Sequence, residues 1–220
     1  MAKLKIVLGN KNYSSWSMRP WLVLKHLGVP FDEVVVPLDQ PSTREEILKH
    51  SPSGRVPALH DGDRVVWDSL AICEYLNELF PDRKLWPADP TARAMARSVS
   101  AEMHSGFQAL RNECPMKFRE TLPGKAISDE VKQDIQRIFA LWADCRRRFG
   151  AGGPFLFGAY CIADAIYTPV VSRFKTYGIP LEGVQAAYSE SIWSLPSVQE
   201  WLAAARAEPY RMARYDAGTV

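Results

Sequence analysis

The chain changes its grammar at Pro81. Before that residue, apolar segments of strand length alternate with segments of helical period; after it only helical patterns recur. Leu4–Leu8 reads as a buried strand, and Ser17–Leu27 as a helix stopped by Gly28-Val29-Pro30. Phe31–Val36 is a second strand, and Thr43–His50 a short helix with the capping signature Ser42-x-x-Glu45. Ala58–His60 and Arg64–Trp67 flank Asp61-Gly62-Asp63, a hairpin signal. Ser69–Phe80 closes the unit with Ile72, Cys73, Leu76, Leu79 and Phe80 on one face, which gives the order βαβαββα. A proline-rich linker over 83–90 follows. Helical patterns then cover Thr91–Leu110, Ser128–Phe149, Ala163–Tyr177 and Pro196–Ala207, with a break at Gly150–Pro154. The chain therefore reads as an α/β domain over residues 1–82 and an all-α domain over 91–220.

Bulk properties remove several function classes. With 220 residues the chain can bury a sizeable core, and 47% hydrophobic with 24% charged residues is the balance of a folded globular protein. A net charge of +2 is too small to point to nucleic acid, and Arg146-Arg147-Arg148 reads as a solvated helix face. The N-terminal segment is too short and too charged for a signal sequence, and no apolar run reaches membrane-span length. Cys73, Cys114, Cys145 and Cys161 are scattered, as are the four histidines, so the expectation is reduced thiols in the cytoplasm and no metal site.

Three segments carry chemistry. The run Asn12–Trp21 lies between a strand and a helix and holds Ser14, Ser15, Ser17 and Arg19. A strand-to-helix turn aims free N–H groups at one point, and the helix dipole favours an anion there: thiolate, carboxylate or phosphate. In Ser53-Gly54-Arg55-Val56-Pro57, a proline directly before a strand is a candidate cis bond as readily as an ordinary trans strand start. If cis, it would leave the Val56 backbone free to pair with an extended peptide ligand. Asp68-Ser69 precedes a helix, where Ser69 serves as N-cap or, with Asp68, receives a zwitterionic head: carboxylate to ammonium, helix N–H groups to carboxylate.

In this order on one βαβαββα unit, these segments resemble the cytosolic glutathione transferases, and the resemblance covers nearly the whole chain. It implies a thioredoxin-like, glutathione-binding first domain with a cis-proline at Val56-Pro57, an acidic-plus-serine pair at Asp68-Ser69, and an all-helical second domain carrying the electrophile site. Phe157–Asp164 resembles the family's folding motif, a Ser/Thr-x-x-Asp capping box, with Cys161 at the hydroxyl position. Ser14–Arg19 is similar to the Ser-Ser-Cys-x-Trp-Arg region of the zeta class, which includes maleylacetoacetate isomerase; Trp16 stands where that class has cysteine. Ser105–Asn112 is also zeta-like and marks Gln108 and Asn112 as accessory glutathione contacts. Arg173 falls near a zeta-class arginine for the substrate carboxylate.

The resemblance implies an enzyme that activates glutathione, its cosubstrate, for attack on a small hydrophobic electrophile in detoxification, as a homodimer and without metal. A thiol with a pKa near ~8.5 is only slightly ionised at neutral pH. A hydroxyl donating to the bound thiolate, helped by the helix dipole, can lower that value by about two units, roughly 2.7 kcal/mol. Ser14 is the first candidate donor, Ser15 the second and Tyr13 a weaker third. Arg19, Val56, Pro57, Asp68 and Ser69 are the further glutathione-binding candidates. Met103, His104 and Phe107, with Met116 and Phe118, are candidates for an apolar electrophile lining, though each is also a natural core residue. The alternatives are maleylacetoacetate isomerase, a glutathione-dependent peroxidase, or a non-enzymatic binding or scaffold protein.

Overall fold

A computed structural model describes residues 3–216 of the chain, without the side chains of Arg214 and Asp216. Strand β1 (Leu4–Leu8) runs into helix α1 (Ser15–Leu27), followed by β2 (Phe31–Val35), α2 (Thr43–Leu48), β3 (Ala58–Asp61), β4 (Arg64–Trp67) and α3 (Ser69–Leu79). The sheet order is β2-β1-β3-β4, with β1 and β2 parallel and the other pairs antiparallel. Successive strand residues face opposite sides. Leu4, Ile6 and Leu8 accordingly enter the main core with α1 and α3, while Val7 joins Ala58, Val36 and Ile47 of α2 in a small core on the other face.

Two local expectations on this half change. Ser42 makes no capping hydrogen bond; the Thr43 hydroxyl instead donates to Pro37 O (2.7 Å) and accepts from Gln40 N (2.9 Å). Helix α1 begins at Ser15, two residues earlier than expected, because Ser14 is the N-cap. It ends at Gly28, whose φ of 67° is a left-handed conformation that glycine adopts without steric cost.

The second half is helical: α4 (Pro90–Ser105), α5 (Gln108–Glu113), α6 (Asp129–Phe149), α7 (Ile162–Tyr177), α8 (Gly183–Trp193), α9 (Pro196–Ala207) and α10 (Ala213–Asp216). The expected helix over 91–110 is broken at Gly106-Phe107, where Phe107 takes a left-handed φ of 59°. Arg111 secures the break by donating Nε to Gly106 O (2.9 Å) and Nη2 to Met103 O, carbonyls at the end of α4. Asp134 of α6 accepts from Leu110 N (3.0 Å) in the first turn of α5. Helix α8 escapes the sequence pattern because its apolar residues do not form one stripe; it buries Tyr188, Ser189 and Ile192.

Helix α7 is the central post, buried at every position except Lys175 and packed on α1, α4 and α8. Its start keeps a capping box despite the thiol: Asp164 accepts from Cys161 N (2.9 Å), and the Cys161 side chain meets the Asp164 N–H. One apolar cluster runs from Ile6 and Trp21 through Trp142 and Tyr167, so the two halves share a core. The arginine run in the last turn of α6 is only partly a solvated face. Arg147 and Arg148 pair with Asp144, but Arg146 turns in and donates to the carbonyls of Gly150 (2.9 Å) and Gly153 (2.7 Å). Among the described residues no helix is long and apolar enough to cross a membrane, and no cluster of His, Cys, Asp or Glu could hold a metal ion.

Candidate active site

The turn between β1 and α1 is fixed from several directions. Asn10 O accepts from Tyr13 N (3.1 Å) and Ser14 N (2.8 Å), which curls the chain into the helix. Asn12 Oδ1 accepts from Arg119 N (2.8 Å), and the Glu208 carboxylate accepts from Lys11 N and Asn12 N, each at 2.8 Å. Residues more than a hundred positions apart thus hold this loop.

Inside it the serines form a chain of hydrogen bonds. Gly9 N donates to Ser17 Oγ (3.0 Å), Ser14 Oγ lies 2.7 Å from Ser17 Oγ, and Ser17 N donates weakly to Ser14 Oγ (3.4 Å). Ser15 Oγ accepts a long bond from Arg173 Nη2 (3.5 Å). Arg173 is in turn held by Cys114 O (2.9 Å) and Pro169 O (3.1 Å).

Ser14 and Ser15 open onto a hollow of about 360 Å³, with Gln108, Asn112, Met116 and Arg173 on its walls. Arg111 is also there, and no Asp or Glu lines this hollow among the described residues. Burial, with repulsion from Arg111, brings Arg173 down to about 10; burial brings Arg111 down to about 10. Both therefore remain cationic at neutral pH. The side chains of Tyr13, Met212 and Tyr215 complete the outer wall, the last two brought in by the C-terminal segment.

A second hollow, of about 450 Å³, adjoins the first; Trp16 and Val56 border both. Val56-Pro57 is cis, as one of the two sequence alternatives had it. Asp68, not Ser69, is the N-cap of α3: its Oδ1 accepts from Leu70 N (2.9 Å) and Ala71 N (3.1 Å). Ser69 is buried against the hollow, and its hydroxyl has no hydrogen-bond partner among the described residues. Burial raises the Asp68 carboxyl, but hydrogen bonds from His104, Ala71 N and Leu70 N outweigh it and hold the group below its ordinary range.

Several expected wall residues lie elsewhere. Met103 is fully buried in the core, and Phe107 and Phe118 are buried there too, the latter stacked on Trp193 at 5.3 Å. His104 lines the hollow at Asp68, not the one at Ser14. Arg19 lines neither. It is fully buried, no nitrogen of its guanidinium has a hydrogen-bond partner among the described residues, and it lies 4.3 Å from the Trp16 ring centre. Burial first, then Arg111 and Arg173, pull its pKa well below the ordinary arginine value. Arg111 also lies over the Trp16 ring, at 4.7 Å, and His104 meets it edge-on at 5.1 Å. Arg55, Trp67 and Arg111 were not marked by sequence. Arg111 had one usable signal, its place three residues after Gln108 on the same helical face.

Comparison with known proteins agrees with this geometry. Residues 13–79 match the family model described as the N-terminal domain of glutathione S-transferase. A "Probable maleylacetoacetate isomerase" of Caenorhabditis elegans is 38% identical over 98 residues, 44% of this chain and 45% of that protein. A "Glutathione S-transferase zeta class" of Euphorbia esula is 34% identical over 136 residues, 61% of this chain and 59% of that protein. The matches thus span about half the length of these two relatives. Among solved structures, a glutathione transferase homolog from Burkholderia with bound glutathione superimposes with a TM-score of 0.70 at 26% identity, covering 94% of this chain and 100% of that one. The first half of the chain is therefore similar to zeta-class glutathione transferases, and the whole chain has a fold similar to that of a solved glutathione transferase homolog.

Proposed function

We propose that this chain is a glutathione transferase whose Ser14 hydroxyl stabilises the glutathione thiolate for attack on a small electrophile. The observation that carries this reading is the joining of two hollows across Trp16 and Val56. One ends in a carboxylate beside a helix N-terminus, suited to an amino-acid head; the other ends in the serine turn. A peptide laid along Val56 spans them and brings its sulfur to Ser14 and Ser15, with Gln108 and Asn112 alongside. A homodimer goes with this reading, for which light scattering should give twice the mass of one chain.

The acceptor end is more polar than the apolar lining expected from Met103, Phe107 and Phe118. Arg111 and Arg173 suit an electrophile that carries a carboxylate. In the conjugation step the thiolate adds to the electrophilic carbon and forms a C–S bond. The displaced electron pair leaves with a halide or is protonated by solvent.

Calorimetry should show glutathione binding, and the protein should accelerate conjugation of both neutral chlorodinitrobenzene and ethacrynate, an unsaturated ketone bearing a carboxylate. Arg173→Met and Arg111→Met are expected to raise KM for ethacrynate by about 10-fold or more, the worth of one charge-assisted hydrogen bond, with little effect on the neutral acceptor. Equal losses for both acceptors would remove the arginines from substrate recognition. No glutathione binding at all would defeat the whole reading and favour a scaffold.

The same two arginines favour a second reading, maleylacetoacetate isomerase, whose substrate is a dicarboxylate. There the thiolate would add to the cis double bond, the carbon–carbon bond would rotate, and glutathione would leave unchanged. Isomerisation of maleylacetone that depends on catalytic glutathione would establish it.

A further inference from the structure

Asp68 is an unusual carrier for a recognition carboxylate. Its φ of 75° is a left-handed conformation that a side-chain-bearing residue adopts at a cost, and one of its oxygens, Oδ1, is occupied by the cap of α3. Oδ2 remains for a ligand. The helical half reaches it through His104 of α4, whose Nε2 lies 3.1 Å from Oδ2. Because a carboxylate oxygen has two lone pairs, it can accept from His104 and from one further donor in the hollow.

The surroundings of the imidazole leave Asp68 as its polar partner among the described residues. Its Nδ1 is buried with no partner among the described residues, so the ring's polar contact runs through Nε2. Asp68, the N-cap of α3, meets it directly; Arg55 lines the same hollow, and Arg19 and Arg111 lie over the Trp16 ring that His104 meets edge-on. Nε2 donating to Oδ2 orients the carboxylate.

We propose that His104 is a positioning residue for amine recognition: its imidazole Nε2 holds Asp68 Oδ2 toward the ammonium of the γ-glutamyl end. The inference rests on the reading that glutathione places its head in this hollow. Selectivity for a ligand with a free α-amine then depends on a contact between the two halves of the protein. A lysine at this position would hold the carboxylate equally well but neutralise it and repel the ammonium.

Binding of two ligands by the full chain separates this role from a structural one. The first is glutathione; the second is glutaryl-cysteinyl-glycine, which lacks only the α-amine and keeps the carboxylate. His104→Ala is expected to weaken glutathione binding by about 10-fold, the scale of a lost bond to a charged group, and glutaryl-cysteinyl-glycine binding by less than about 2-fold. His104→Gln, whose amide can donate from a similar place, should recover most of the glutathione affinity. His104→Lys should weaken glutathione most and leave the analogue unaffected. Should the alanine variant fail to fold, the glutamine and lysine variants carry the same comparison. Equal losses for both ligands, or an unchanged glutathione affinity in His104→Ala and His104→Lys, would overturn the inference. Failure of the wild-type protein to bind glutathione would overturn the underlying reading and this inference with it.

Discussion

Ser14→Ala should lower kcat/KM for conjugation by about 10- to 100-fold near about pH 6.5 and raise the pKa of bound glutathione toward the free value of ~8.5. The physical basis is the serine chain. In the turn Ser14 Oγ lies 2.7 Å from Ser17 Oγ, which also accepts from Gly9 N at 3.0 Å. When a thiolate arrives, the Ser14 proton can swing to sulfur and the Ser17 hydroxyl can donate back to Ser14 Oγ. Sulfur then meets a donor polarised by a second hydroxyl and a backbone N–H. Losing one hydrogen bond to an ionised group costs ~1.5–3 kcal/mol, about one to two pKa units. The ionised fraction of the thiol below its pKa falls by the same factor, so the deficit should shrink as pH rises past the variant's thiol pKa. Ultraviolet thiolate absorbance of the binary complex reads the shift directly. Ser15→Ala should cost less, because among the described residues that hydroxyl has only the 3.5 Å contact with Arg173 to orient it. If Ser14→Ala keeps most activity while Ser15→Ala loses it, the donor is Ser15, polarised by the guanidinium beside it.

The largest stability effect should come from Asp164→Ala. This fully buried carboxylate accepts from Leu156 N (3.1 Å), Cys161 N (2.9 Å) and the Tyr188 hydroxyl (3.1 Å). Alanine leaves three buried donors unpaired, each costing ~1–3 kcal/mol, so a loss of about 3–5 kcal/mol is expected after partial relaxation. At about 2–4 °C per kcal/mol for a chain of this size, Tm should fall by about 10 °C. Burial pushes the Asp164 carboxyl up from 3.8 to about 6, against the hydrogen bonds that lower it. A carboxyl raised by folding contributes stability that is complete below its unfolded pKa and is lost as pH rises through the folded one. The gap in stability between wild type and Asp164→Ala should therefore narrow as pH rises from 3.8 through about 6. Thermal melts across that range check both statements; a Tm within about 2 °C of wild type would show that the start of α7 repairs itself with water.

The legible part of the site was the part written in short segments. Ser14, Ser15, Val56, Pro57, Asp68 and Ser69 border the two joined hollows, because strand ends, a turn proline and helix starts announce themselves within a few residues. Even there, the exact cap moved from Ser69 to Asp68, since a backbone φ of 75° leaves no trace in composition. The helical half was harder. Met103, His104 and Phe107 all lie along one pattern, but the chain leaves the helix at a left-handed Phe107, and Met103 and Phe107 lie in the core. Arg19 reads as a site residue in sequence and proves to be buried behind Trp16.

By itself, then, the sequence determined the order of strands and helices, the serine turn, and the acidic residue at the start of α3. Each follows from periodicity, capping preference or backbone restriction, which act over a few bonds. Tertiary structure decided which cations face the serines and which side of Trp16 receives His104. Arg173 meets Ser15 across 158 positions of sequence, and Glu208 holds the turn at Asn12 across 196. Such contacts exist only once α7 and the C-terminal segment pack against α1, because burial in a shared core, and no local preference, brings them there.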